Sequence, residues 1–227
     1  MKRSWPLCLG VAAILLAGLG YVGAKAIYRE GRMAGARSVP GKALYSAWRV
    51  LILRNQAAKA EVGAVMVVGD SIVEQQNFTR LCGRPVFNAG ITAATTGVVA
   101  DAIPSVVKAG RPAMIVVAVG INDASHDIAT PFADWRAHYR TLLSRLGDVP
   151  LVIVGVQPTE ERKLGQRGHD LALVRAQNAA LPALAAEVGG RFVAPLPSAV
   201  GLTIDGTHLN AEGDRRWQAA VERACPA

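Results

Sequence analysis

Five short apolar runs recur along the chain after its first quarter, and each is followed by a polar segment. They cover residues 64–68, 85–90, 114–119, 151–156 and 191–194. Short aliphatic runs that end in glycine or polar residues are typical of strands buried on both faces of a sheet. The pattern therefore predicts five strands, of which 114–119 is the most strongly apolar and 191–194 the weakest.

The segments between these runs place apolar residues at helical spacing. Helices are predicted at 72–81, 96–109 and 131–146, from the end of a polar loop at 157–168 to residue 188, and at 211–224. In 131–146, for example, Trp135, Tyr139 and Leu142 fall on one side. Strands that alternate with helices throughout a domain predict an α/β fold, with a central five-stranded parallel sheet and helices on both faces.

An uncharged apolar stretch at residues 6–24 precedes this domain and has about the ~20 residues needed to cross a bilayer. The Lys-Arg start and Ala24-Lys25-Ala26 also fit a signal peptide cleaved near Ala26. We favour an uncleaved single-pass anchor, because the stretch is long for a signal peptide. Either interpretation places the rest of the chain outside the cytoplasm. The lysines and arginines that follow the stretch outnumber those before it, which favours the opposite orientation.

The predicted organisation is a membrane or signal segment at 1–26, a basic helical linker at 27–60 and the α/β domain at 61–227. Within the linker, Leu44, Trp48 and Ile52 recur at helical spacing and predict a helix from about 43 to 60.

Composition supports the presence of a membrane or export segment. Hydrophobic residues make up 51% of the chain, and the mean hydropathy is +0.26. The formal net charge is +8, but only 5% of residues are aromatic, and they do not interleave with the basic ones as in nucleic-acid-binding surfaces. We therefore predict no nucleic-acid partner. Anionic lipid headgroups better explain the basic residues that flank the apolar stretch, which are Lys2, Arg3, Lys25, Arg29, Arg32, Arg37 and Lys42.

The chain has three cysteines, Cys8 in the apolar stretch and Cys82 and Cys225 in the domain. An exported domain permits a disulfide between the last two if the first and last helices pack on the same face. Two unpaired buried cysteines are an equally good interpretation of the sequence.

Polar residues of catalytic type follow the predicted strands. Ser71 comes after the first strand, where open α/β sheets bind ligands and a helix begins. His208 is a candidate base for this hydroxyl, and Asp205 stands where it could orient the imidazole. Each residue has a structural alternative: Ser71 as a helix cap, His208 as a surface histidine and Asp205 as a turn residue.

Stabilising a tetrahedral oxyanion requires hydrogen-bond donors. The backbone N–H groups of Ser71 and Gly90 and the side-chain amide of Asn122 are the candidates. Gly90 would allow a substrate to approach the backbone, or would serve as a loop glycine, and Asn122 could instead cap a turn. Asp70 and Asp123 are predicted to be structural, and the charged run at 160–163 is predicted to be a solvated surface.

Four segments together resemble the SGNH (GDSL-type) hydrolase superfamily, in that family's order. They are Gly69-Asp70-Ser71-Ile72, Asn88-Ala89-Gly90, Gly120-Ile121-Asn122-Asp123 and Asp205-Gly206-Thr207-His208. The resemblance implies a flavodoxin-like three-layer sandwich without a metal or organic cofactor. It also implies Ser71 as nucleophile, His208 and Asp205 as its partners, and Ser71, Gly90 and Asn122 as the oxyanion hole. Ile72 replaces the usual leucine, which conserves volume.

Three functions are compatible with these residues. The leading hypothesis is a serine esterase that acts on acyl or acetyl esters of small molecules or glycans, in a membrane-anchored domain outside the cytoplasm. The second is an acyl or acetyl transferase, or a deacetylase, acting on a cell-envelope polysaccharide. The third is an inert envelope scaffold. The sequence does not indicate the acyl chain length, the alcohol or the oligomeric state.

Overall fold

A computed structural model describes residues 39–164 and 168–225 of the chain. The chain divides into two units, Met1–Tyr45 and Ser46–Ala227. The described part of the first unit, residues 39–45, belongs to the beginning of a helix. The second unit contains the whole sheet and every predicted site residue.

The sheet has six strands, arranged around the first. In chain order they are β1 (Val65–Gly69), β2 (Arg80–Leu81), β3 (Arg84–Gly90), β4 (Met114–Ala118), β5 (Leu151–Val154) and β6 (Arg191–Val193). Their order across the sheet is β2-β3-β1-β4-β5-β6, and every pair is parallel except β2 with β3. The five parallel strands follow the flavodoxin-like order, which confirms the predicted α/β sheet. The short antiparallel β2 at the edge was not predicted.

Seven helices occur in the described residues. They are α1 (Val39–Ala57), α2 (Ser71–Glu74), α3 (Thr96–Gly110), α4 (Phe132–Ser144), α5 (Glu161–Leu164), α6 (Leu171–Glu187) and α7 (Ala211–Glu222). Side-chain oxygens cap the N-termini of four of them and satisfy the free N–H groups there; the capping residues are Asp70, Thr95, Asp170 and Asn210.

The predicted helix at 72–81 is wrong beyond its first turn. Helix α2 ends at Glu74, and β2 begins at Arg80. The side-chain amide of Asn88, on β3, donates to the carbonyls of Val73 and Gln76 at 2.7 and 3.1 Å. One of these carbonyls is in α2 and the other lies two residues beyond it, and both take a tertiary partner where a longer helix would have bonded them internally.

Apolar burial follows the sequence pattern. Every residue of β1 and of β5 is buried, as expected for strands covered on both faces. In α4, the predicted apolar side is confirmed, because Trp135, Tyr139 and Leu142 are fully buried.

Cys82 and Cys225 form a disulfide. Cys82 lies in the turn between β2 and β3 rather than on the predicted first helix, and Cys225 follows α7, which contacts β2. The bond links positions 143 residues apart, and closing so long a loop stabilises a fold by up to about 5 kcal/mol in the chain-entropy picture. It ties the last helix to the edge of the sheet.

Within residues 39–164 and 168–225, no helix is both long enough and apolar enough to cross a bilayer. The predicted membrane or signal segment at 1–26 lies outside the described residues. The predicted linker helix is present as α1, although it begins and ends a few residues earlier than expected.

Candidate active site

Ser71 lies where β1 turns into α2. Asp70 caps this helix by accepting a hydrogen bond from the Ile72 N–H at 3.0 Å, which makes Ser71 the first helical residue. The turn requires glycine before it, because a Cβ on Gly69 would lie 2.2 Å from the Ala118 carbonyl oxygen. Ser71 is thus held at the carboxyl end of the central strand, and only 6% of its surface is exposed.

His208 and Asp205 reach Ser71 from the loop before α7. The Nε2 atom of His208 lies 2.9 Å from the Ser71 Oγ atom, and its Nδ1 atom lies 2.7 Å from the Asp205 Oδ2 atom. The carboxylate accepts a hydrogen bond from the Nδ1–H group, which leaves Nε2 as the acceptor for the serine hydroxyl. The structure therefore brings together three residues that are up to 137 positions apart in sequence.

Asp205 is fixed by its own loop. Its Oδ1 atom accepts hydrogen bonds from the backbone N–H groups of Thr207 and His208 at 3.0 and 2.9 Å. Partial burial opposes ionisation, but the hydrogen bonds from the backbone and ring of His208 and from Thr207 outweigh it and lower the pKa of Asp205 to about 2. The carboxylate is therefore charged at neutral pH and holds the imidazole in one orientation.

The predicted oxyanion donors lie at the carboxyl ends of three adjacent strands: Gly90 is the last residue of β3, and Ser71 and Asn122 follow β1 and β4. Gly69 on β1 pairs with Gly90 on β3 and with Ala118 on β4. The Gly90 N–H donates to the Asn88 Oδ1 atom at 2.9 Å, and the Asn122 amide donates to the Ala94 carbonyl at 3.0 Å. These two donors thus have partners within the protein, and the second hydrogen of the Asn122 amide is not used by its bond to Ala94.

Gly90 is required for a reason that the sequence did not suggest. A Cβ at this position would lie 2.3 Å from the Glu74 backbone nitrogen and 2.6 Å from the Glu74 Cα atom. The glycine therefore lets α2, which carries Ser71, pack directly against β3.

Asp70 and Asp123 support the backbone around the site, as predicted. Asp123 is fully buried, and its Oδ2 atom accepts from both the N–H and the hydroxyl of Thr96 at 2.8 and 2.9 Å. Asp70 is also buried. Burial raises the pKa of its carboxyl to about 7, although N–H donors from Ile72 and Gly120 partly oppose the shift, and Asp123 adds to it.

The raised pKa of Asp70 makes the stability of the fold depend on pH. Between about pH 4 and 7, the folded chain keeps a proton on Asp70 that the unfolded chain releases, so this group lowers the free energy of unfolding as the pH rises. Asp70→Asn removes the titration. We expect the difference in free energy of unfolding, variant minus wild type, to increase by about 1 kcal/mol per pH unit as the pH rises through this window. Above the window, the difference should stay constant.

Urea denaturation at pH 5, 6, 7 and 8 measures this difference. Asp148→Asn, at an exposed carboxyl, is the matched control and should parallel the wild type. Parallel curves for Asp70→Asn would contradict the prediction.

The structure also shows supporting residues that the sequence did not indicate. The charged run at 160–163 is not simply a solvated surface, because Glu160 accepts from the Thr203 hydroxyl at 2.7 Å and Lys163 donates to the Thr203 carbonyl at 2.8 Å. The Glu160 N–H donates to the Gly206 carbonyl at 2.7 Å. These bonds brace the loop that carries Asp205, and the local sequence holds no sign of their distant partners.

The acidic, histidine and cysteine side chains of residues 39–164 and 168–225 form no group of three or more that could hold a metal ion.

The fold and the site define the chain as a flavodoxin-like α/β protein with a Ser–His–Asp arrangement at the end of its central strand. Residues 67–216 match the GDSL-like lipase/acylhydrolase family. The chain belongs to this family, which confirms the resemblance found in the sequence and supports hydrolysis of esters as its general activity. No curated protein matches the sequence.

Solved structures share the fold at low sequence identity. A proposed platelet activating factor from Streptococcus pneumonia has 20% identity and a TM-score of 0.74, over 86% of this chain and 99% of that one. A lipase/acylhydrolase from Enterococcus faecalis has 18% identity and a TM-score of 0.60, over 70% and 94%. A carbohydrate acetylesterase from Sinorhizobium meliloti has 17% identity and a TM-score of 0.56, over 70% and 96%.

Proposed function

We propose that the chain is a serine esterase that hydrolyses acyl or acetyl esters through an acyl-enzyme intermediate. Ser71 is the nucleophile, His208 the general base and acid, and Asp205 the residue that orients His208. The observation that carries the proposal is the hydrogen-bonded series from Asp205 Oδ2 through the His208 ring to Ser71 Oγ, with separations of 2.7 and 2.9 Å.

In the first half of the reaction, Ser71 Oγ attacks the ester carbonyl carbon while its proton passes to His208 Nε2. The carbonyl oxygen becomes an oxyanion. The bond from the carbon to the alcohol oxygen then breaks, and His208 returns the proton to the departing alcohol. Asp205 stabilises the imidazolium between these two steps.

In the second half, a water molecule gives a proton to His208 Nε2 and attacks the acyl carbon. The tetrahedral intermediate collapses, the bond to Ser71 Oγ breaks, and the proton returns to the serine. The products are a carboxylic acid and the free enzyme, so atoms and charge balance over the cycle.

The oxyanion donors of this proposal are the Ser71 N–H, the Gly90 N–H and the Asn122 amide. The first N–H groups of a helix have no partner within it, so the Ser71 N–H faces outward from the start of α2. The Gly90 N–H donates to the Asn88 Oδ1 atom, so it must donate to both acceptors or switch to the oxyanion when the oxyanion forms. Removal of one donor typically costs ~10²- to 10³-fold in kcat.

The proposed substrate class is an ester of a small molecule or a glycan. The structural neighbours include a carbohydrate acetylesterase and an acetylxylan esterase, and their shared fold supports testing acetylated sugars alongside simple acyl esters. A product assay with a sugar acceptor distinguishes hydrolysis from acyl transfer.

A fluorophosphonate probe tests the proposed nucleophile directly. The probe should attach to one serine in the folded chain, and peptide mass spectrometry should place it on Ser71. Labelling elsewhere, or an inert chain, would contradict a serine mechanism at this site.

We also propose that the chain is anchored in a membrane by residues 1–26, with the esterase domain outside the cytoplasm; export after cleavage near Ala26 is the alternative. Helix α1 supports association with lipid. Its residue Leu53 is buried in the core, whereas Trp48, Leu51 and Ile52 on the opposite side are 58%, 47% and 45% exposed. An aromatic and aliphatic surface next to a basic segment suits the interface of a bilayer.

Fractionation of cells that express the full chain tests the anchor, and a reporter fused after Ala227 tests its orientation. We expect the chain in the membrane fraction at its full mass, with activity from a reporter that functions only outside the cytoplasm. A soluble chain starting near Ala26 would support export, and activity from a cytoplasm-only reporter would contradict both arrangements.

A further inference from the structure

We propose that Arg49, on helix α1, is a positioning residue for the oxyanion hole. This inference rests on the proposed function, because it assigns Arg49 the role of holding two of the proposed oxyanion donors in place. Arg49 lies outside residues 67–216, the part of the chain that matches the family.

Arg49 joins α1 to both elements that form the site. Its Nε atom donates to the Gly90 carbonyl oxygen at 3.1 Å and lies 3.2 Å from the Glu74 Oε1 atom. The two side chains are only 20% and 17% exposed, so solvent screens their interaction less than that of a surface pair. Arg49 therefore connects the last residue of β3 to the last residue of α2, the helix that begins with Ser71.

Glu74 extends this connection along the chain. Its second oxygen, Oε2, accepts a hydrogen bond from the Thr92 N–H at 2.5 Å. The Arg49–Glu74 pair thus holds both Gly90 and Thr92, and the carboxylate is in turn oriented by the guanidinium. The segment that leaves β3 is thus bound to α2 directly at Thr92, and through Arg49 at Gly90.

The other end of this segment is held by the loop after β4. The Ala94 carbonyl accepts a hydrogen bond from the Asn122 side-chain amide. The N–H and the hydroxyl of Thr96 both donate to the Asp123 carboxylate. Residues 90–96 therefore form a bridge from Arg49 and Glu74 to Asn122. If Arg49 is removed, the Gly90 carbonyl loses this hydrogen bond and the Glu74 carboxylate loses its ion pair, so we expect both the Gly90 N–H and the Asn122 amide to shift relative to Ser71.

A shift of this kind acts on the transition state more than on substrate binding, because the oxyanion exists only after attack. Misplacement of catalytic groups by about 1 Å costs on the order of 10²-fold in rate. We therefore expect Arg49→Ala to lower kcat for short p-nitrophenyl esters by about 10- to 100-fold, with KM changed by no more than about twofold. The rate of fluorophosphonate labelling should fall in parallel, since the phosphonyl oxygen uses the same donors.

Leu53→Ala is the matched control. Leu53 lies one turn further along α1 and is fully buried in the core, so its truncation weakens the packing of the helix without removing the bond to Gly90. We expect a lower Tm for this variant, with kcat within about twofold of the wild type when measured well below that Tm. Arg49→Lys, which keeps the charge but not the planar group, should lie between the wild type and Arg49→Ala.

Two results would overturn the proposal: Arg49→Ala with kcat within about twofold of the wild type, or Leu53→Ala with a loss of kcat equal to that of Arg49→Ala. If Arg49→Ala does not fold, the same criteria apply to Arg49→Lys. The proposed function fails separately, through an active Ser71→Ala variant. An inactive Ser71→Ala together with a fully active Arg49→Ala would reject the role of Arg49 alone.

Discussion

Replacing Ser71 with alanine is expected to lower kcat for p-nitrophenyl acetate by about 10⁴-fold or more, to the level of residual electrostatic catalysis. In the proposed mechanism, the Ser71 hydroxyl, which is hydrogen-bonded to His208, supplies the atom to which the acyl group is transferred. Alanine fits the same space, and Asp70 still caps α2 through Ile72, so we expect the fold and the Tm to change little.

Steady-state kinetics on purified protein, with circular dichroism to verify folding, measure this effect. Ser144→Ala is the control. The Ser144 hydroxyl is exposed, and it donates to the Thr141 carbonyl within its own helix. Turnover by Ser71→Ala within tenfold of the wild type would reject the acyl-enzyme mechanism.

Replacing His208 with alanine is expected to reduce kcat by a similar factor, about 10⁴-fold, because the serine hydroxyl then has no imidazole to accept its proton. When two residues act as one catalytic unit, removing both lowers kcat little further than removing either one alone. The double variant Ser71→Ala/His208→Ala should therefore be about as inactive as either single variant.

His138→Ala is the matched control for a lost imidazole, since His138 is exposed on α4 and lies outside the proposed site. Initial rates for the wild type, the two single variants and the double variant complete the comparison. Losses that multiply in the double variant would show that Ser71 and His208 act independently, contrary to the proposal.

The strands were the most predictable part of the fold. Aliphatic runs such as 114–119 leave no polar face for solvent, so both faces of the strand must be buried. The composition of such a run therefore indicates a parallel sheet. Helix α4 was predictable for the same reason, since Trp135, Tyr139 and Leu142 can share one side only at helical spacing. In both cases the controlling interaction is the burial of apolar surface, which the local pattern records.

Predictions failed where a distant residue decided a local outcome. Helix α2 ends at Glu74, where the side chain of the distant Asn88 bonds to the carbonyls of Val73 and Gln76. The run at 160–163 reads as solvated, yet Glu160 and Lys163 bond to the loop that holds Asp205, because Thr203 is brought beside them only by the fold. Hydrogen-bond partners more than ten residues apart leave no periodic trace in a sequence.

The candidate site likewise has features that the sequence predicted and features that only the fold decided. The residue types and their order, from Ser71 to His208, were readable because each follows a strand or forms part of a short motif, and parallel strands bring their carboxyl ends to one edge. The tertiary structure alone decided the 2.9 Å approach of His208 to Ser71, the disulfide between Cys82 and Cys225, and the contact of Arg49 with Gly90. Apolar periodicity is a local property that the chain carries in itself, whereas the distance between two side chains is set only when the whole sheet and its helices have packed.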